Sequence, residues 1–212
     1  MKKKIKFTDI IKRFEKDTLY IERDTVQELF SIIDQKSDEL DEYTYHSLSN
    51  YMVIRLVSAV EYYFQNRARE LIDKNNMDVS GIFEKDEIII SLNELDEIPR
   101  GNITKGRIVS YAINFQNFDE VNRVFSKLLQ VKNFENEIRK QHHTFVYSAW
   151  GKVGISFNFD KILELINIRH KIVHEMTNFQ GDFQELKMYL ANCIMLFSII
   201  NEVISQKLRN LP

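Results

Sequence analysis

Apolar side chains return every three or four positions along most of this chain, the spacing that lines one face of a helix. Residues 8 to 35 carry Ile10, Ile11, Phe14, Leu19, Ile21, Val26, Leu29, Phe30 and Ile33 in that rhythm. A longer run over residues 44 to 74 holds Leu48, Met52, Leu56, Val57, Val60, Phe64, Ala68, Leu71 and Ile72. At ~1.5 Å per residue it predicts a helix of roughly 45 Å, a bundle length. Asn102 is a candidate cap for a helix over residues 103 to 116, and Asn117 for one reaching about Leu129. Asp119 and Glu120 then stand in a first turn, where the helix dipole favours negative charge. Asn158 opens a strongly apolar helix that Gly181 is expected to close, and a last helix runs over residues 182 to 208.

The middle is less regular. Asp86-Glu87-Ile88-Ile89-Ile90 reads as a short strand or a buried extended segment. Ser91 and Glu94 have the form of a capping box, and Pro99-Arg100-Gly101 breaks the chain. Residues 141 to 158 read as a loop holding His142, His143, Trp150, Gly151 and Gly154. With no repeat, low-complexity tract or linker, the expectation is one all-α helical-bundle domain over residues 1–212, with a short irregular or two-stranded insertion in its middle.

Composition supports this. The chain has 212 residues with only six Gly and two Pro, too few for the many tight turns of a sheet protein. A net charge of −2 gives no global field toward nucleic acid, so any such contact must be local. The lone Cys193 sits in an apolar segment and reads as a buried hydrophobe in a reducing compartment. Lys2, Lys3 and Lys4 lead into charged residues rather than an apolar signal core, and read as a solvated end. The apolar stretch over residues 189 to 200 reads as a buried helix, too short to span a bilayer. A cytoplasmic protein is expected.

Within the apolar segment of residues 159 to 176, Arg169-His170-Lys171-Ile172-Val173-His174 is out of place. An arginine makes bidentate hydrogen bonds to phosphate and stabilises charge built in a transition state. A histidine moves protons near neutral pH. Arg169 and His174 stand about 140° apart around a helix, and His170 lies about 40° from His174. Apolar residues cover most of the remaining circumference, so the helix is expected to be buried on more than one side. One side fits its own bundle and the other a second copy across a two-fold axis. His170 and His174 at i, i+4 have a metal-compatible spacing, but they lack the glutamate of the H-E-x-x-H pattern and a clear third ligand. The structural reading makes His174 a core histidine and Arg169 the ion-pair partner of an acid such as Glu61. Glu61 and Arg67 are also candidate supporting groups; Trp150 is a packing anchor or a base-stacking ring.

The segment from Leu165 to Glu175 resembles the signature of the HEPN superfamily, an arginine followed at five or so positions by a histidine on a late helix of a bundle. Residues 56 to 63 and 117 to 125 resemble parts of prokaryotic members. That resemblance implies a metal-independent endoribonuclease that needs no cofactor and has its site at a homodimer interface. It further implies RNA as substrate, 2′,3′-cyclic phosphate products, and a role as defence or toxin effector with an antitoxin or activating partner. Arg169 and His174 become the catalytic pair and His170 the polar residue beside them. The alternative implied is a HEPN-fold module without catalysis that binds RNA or partners another enzyme.

Overall fold

A computed structural model of the chain describes residues 3–6, 31, 40–75, 77, 79, 82, 86–89, 104–146 and 154–209. Six helices and four short strands are seen among them: β1 (Lys3–Lys6), α1 (Glu42–Asn75), β2 (Asp86–Ile89), α2 (Lys105–Ala112), α3 (Phe118–Leu128), α4 (Phe134–Arg139), β3 (Thr144–Val146), β4 (Gly154–Ser156), α5 (Phe159–His174) and α6 (Phe183–Arg209). The fold is all-α with minor strand pairing, as the apolar rhythm predicts. Of the helix expected over residues 8 to 35 only Ser31 is described, and it is helical. Ser91, Pro99, Asn102, Trp150 and Gly151 lie outside the described residues.

The chain divides into two compact units. The first comprises residues 1–20 and 61–134. Here β1 pairs in parallel with β2, Lys3 opposite Asp86 and Lys6 opposite Ile89. Lys3 and Lys4 thus belong to a strand that the sequence did not announce, because its partner lies 83 residues further on, beyond the reach of any local pattern. The core of this unit is aromatic. Phe64 is fully buried and meets Phe118, Phe125 and Phe134 edge-to-face, while Phe125 and Phe134 stack at 4.8 Å. Such pairs add about 0.5–1.5 kcal/mol beyond the area they bury. Gly106 lets α2 lie directly against α1. A Cβ there would stand 2.5 Å from the Arg69 carbonyl oxygen. Asp73 completes that junction, accepting from the Gly106 amide at 2.7 Å and the Thr104 hydroxyl at 2.5 Å. Thr104 itself caps α2.

The second unit comprises residues 21–60 and 135–212. It holds the first half of α1, most of α4, the antiparallel pair β3–β4, and helices α5 and α6. The hairpin, with Phe145 opposite Ile155, stands where a loop was expected. Helix α6 is the core element. Leu186, Tyr189, Ala191, Leu196, Ile199 and Ile200 are fully buried. It is long and apolar enough to cross a membrane, contrary to the expectation from its apolar stretch alone, yet 61% of its apolar window is buried within the fold. That is how a core helix of a globular domain behaves. Cys193, buried on this helix, has its thiol pushed up to about 12 by desolvation.

Candidate active site on the motif helix

Helix α5 is fixed at both ends by residues of other elements. At its start the Asn158 side chain accepts from the Asp160 amide at 3.0 Å, capping the first turn. The Asn158 backbone amide donates in turn to Asn192 Oδ1 at 2.7 Å. Asn192 is 1% exposed on α6, and its own amide donates to the Met188 carbonyl. A buried amide group is costly unless both its ends are satisfied, and here it serves as the anchor of the neighbouring helix. Arg139 of α4 adds a bond to Asp160 at 2.7 Å and lies 4.7 Å over the Phe159 ring.

The end of α5 is not where the glycine pointed. The helix stops at His174 with Glu175 as cap, and Met176 takes φ 52° in the left-handed region. Methionine does here what Gly181 was expected to do five residues later; glycine usually fills this position because it lacks the Cβ clash. The chain leaving the helix is then held by α1. Asn50 accepts from the Phe179 amide at 2.7 Å and donates to Asn178 at 2.9 Å, and the Tyr45 hydroxyl donates to the Gly181 carbonyl.

Between these fastenings, burial is one-sided. Phe159, Ile162 and Leu165 are buried, and no residue from Ile166 to His174 is. Val173 is 41% and Met176 92% exposed. The expected burial on more than one side is thus met on one side only, because the chain's own elements cover a single stripe near the N-terminal end. His170 and His174 are both exposed, and their rings lie 4.6 Å apart at 44°, as four-residue spacing requires. Arg169 is half-buried on another side of the helix, and its Nε is buried with no hydrogen-bond acceptor among the described residues. The core-histidine reading of His174 fails on exposure, and the ion-pair reading of Arg169 fails because no carboxylate pairs with it among those residues. No group of three or more His, Cys, Asp or Glu suited to a metal ion is found among them either.

Other candidates have ordinary structural duties. His143 Nε2 lies 3.2 Å from Glu202 Oε2 on α6, whereas His142 is exposed. Arg67 pairs with Glu70 and lies over the Tyr63 ring, and Glu61 accepts from Gln116. Sequence reasoning passed over Asn50 and Asn192, whose partners are 129 and 34 residues away. It also gave no sign of a cleft of about 570 Å³ lined by Glu164, Ile168, Lys171, Glu175 and Phe179 among others. Neither Arg169 nor either histidine lines it.

No curated protein and no solved structure matches the chain. A family model described as RiboL-PSP-HEPN matches residues 17–206, through both compact units and the whole of α5. An arginine and two histidines on the exposed end of a late, doubly anchored helix, in an all-α fold matched over most of its length, carry one conclusion: the chain belongs to the RiboL-PSP-HEPN family of the HEPN superfamily.

Proposed function

We propose that the protein is a metal-independent endoribonuclease whose site is completed by a second copy of the chain. The observation that carries this reading is the contrast within one hexapeptide: an arginine with a buried, unaccepted Nε, and five residues later an exposed histidine whose ring lies 4.6 Å from that of another. In RNA cleavage the 2′-oxygen forms a bond to phosphorus while the bond to the 5′-oxygen breaks. A base removes the 2′-hydroxyl proton and an acid protonates the leaving oxygen, giving 2′,3′-cyclic phosphate and 5′-hydroxyl ends. His174 is the acid/base group in this scheme, and His170, at ring-contact distance, is the auxiliary group. Each such transfer contributes about 10²–10⁴-fold. Arg169 holds the phosphate oxygens and offsets the charge that grows on them.

Arg169 and His174 stand about 140° apart on one helix, so a single copy does not aim both at one phosphate. Two copies related by a two-fold axis through α5 do, with Val173 and Met176 covered in the process. The working unit is then one functional domain over residues 1–212, consistent with a family match that crosses both compact units. Its biological setting is a cytoplasmic defence or toxin effector restrained by an antitoxin or released by an activating partner.

The test is to incubate the wild-type chain and His174→Ala with total RNA in EDTA and map the fragment ends. Cleavage by wild type alone, leaving cyclic phosphate ends, is the expected result. Equal cleavage by both variants removes His174 from the reaction, and cleavage by neither favours a non-catalytic binding module.

A further inference from the structure

Tyr43, Ser47, Tyr51 and Arg55 follow one another on α1 at four-residue intervals, so they climb one outward flank of the helix. Tyr43 is 82% and Tyr51 44% exposed, a large area of aromatic surface to leave in water. Over about 12 Å of helix axis these two rings are the exposed aromatic positions of the flank. The Arg55 guanidinium lies 5.8 Å from the centroid of the Tyr51 ring.

Arg55 differs from three other arginines of the described residues. Arg67, Arg123 and Arg139 are each held by a carboxylate. Arg55 has no carboxylate partner among the described residues, and its Nε is buried without an acceptor. Arg169 shares that condition. A guanidinium left with unsatisfied donors is costly inside one chain and suited to an anion that arrives from outside it. It is the neighbouring flank of α1 that meets the exit of the motif helix. Asn50, next to Tyr51 in sequence, bonds Asn178 and the Phe179 amide, a few residues past His174.

An exposed tyrosine with an arginine against its ring, and no acid to neutralise that arginine, matches what unpaired RNA presents. A base offers a π-face to the ring, and the next phosphate takes the guanidinium. A duplex hides its base faces and gains nothing from the ring. The geometry points to Tyr51 and Arg55 as a stacking platform for an unpaired base and its neighbouring phosphate, on the helix that also holds the chain leaving α5. This rests on, and sharpens, the ribonuclease reading: the substrate is single-stranded where it meets α1.

Binding tests the platform without relying on cleavage. The full chain carrying His174→Ala is titrated into a short, labelled, mixed-sequence single-stranded RNA and into its duplex, and anisotropy is read at several salt concentrations. Adding Tyr51→Ala weakens single-strand binding about five- to a hundredfold, the range of one lost base stack, while Tyr51→Phe retains it. Adding Arg55→Gln lowers the slope of log affinity against log salt by about one, the signature of one phosphate contact. Neither change moves duplex binding. The proposal is overturned if Tyr51→Ala binds single strands like its parent, or if the parent binds no RNA. It is equally overturned if Tyr51→Ala alters only the sedimenting species, since the flank would then cover protein. A wild type that cuts no RNA, alongside binding that still depends on Tyr51, sinks the nuclease and leaves the platform standing.

Discussion

Helices α5 and α6 are neighbours in sequence and both are strongly apolar, but the fold treats them differently. From Phe183 to Ile204, α6 directs its apolar residues inward, and fourteen of its residues are buried. In α5 only Phe159, Ile162 and Leu165 are buried, and the isoleucines and valine that follow stand partly or fully in solvent. Hydrophobicity alone therefore does not mark the core. What separates the two is the polar residues set among the apolar ones. In α6 these are Asn192 and Lys187, buried and each partnered. In α5 they are Arg169, His170 and His174, left without a hydrogen-bond or ion-pair partner among the described residues.

Core substitutions give the largest effect that can break this contrast. Leu196→Ala, at a fully buried α6 position, lowers unfolding free energy by about 2–5 kcal/mol in urea denaturation. Val173→Ala on α5 changes it by less than about 0.5 kcal/mol under the same conditions, as exposed positions do. Equal losses at the two sites would make α5 a core helix and end the comparison. An intermediate effect belongs to the polar anchor. Asn192→Ala leaves the Asn158 amide without its acceptor and costs about 1–3 kcal/mol, with the start of α5 showing faster amide exchange than α6. Uniform acceleration across both helices would deny the anchor its local role.

The smallest effect is electrostatic. Hydrogen bonds from Lys140 and then Lys207 hold the Glu137 carboxyl below its usual 4.5. A lowered folded-state value means that this stabilisation is present above pH 4.5 and is lost as pH falls through the folded-state value. Lys207→Met therefore removes less than about 1 kcal/mol at neutral pH and flattens the acid limb of the stability profile. An acid limb identical to wild type would show that α4 and α6 are joined by apolar contact alone.

Much of this was readable in the chain. The long helix over residues 44 to 74 is α1, and Asn117 and Asn158 cap α3 and α5 as their positions suggest. Both signals are local: a period of 3.6, and a side chain that reaches the amide two residues on. Helix α4, at six residues, is too short for a period to register, and Phe134 enters the aromatic core only through partners elsewhere in the chain. Strands β1, β3 and β4 have three or four residues each, so pairing rather than propensity decides them. The arginine and histidines announced themselves as charged or titratable groups in an apolar stripe. Tyr51 did not, because an aromatic at helical spacing reads as core until its exposure is known.

The fastening of α5 at its two ends has an evolutionary consequence. Asn192 and Asn50 hold the helix from outside, so the surface between them is excused from folding. Substitutions on that surface are screened by what the protein does and hardly at all by whether it folds. A lineage can revise what this helix recognises through single replacements there, each harmless to the scaffold, while changes at the two asparagines meet immediate resistance.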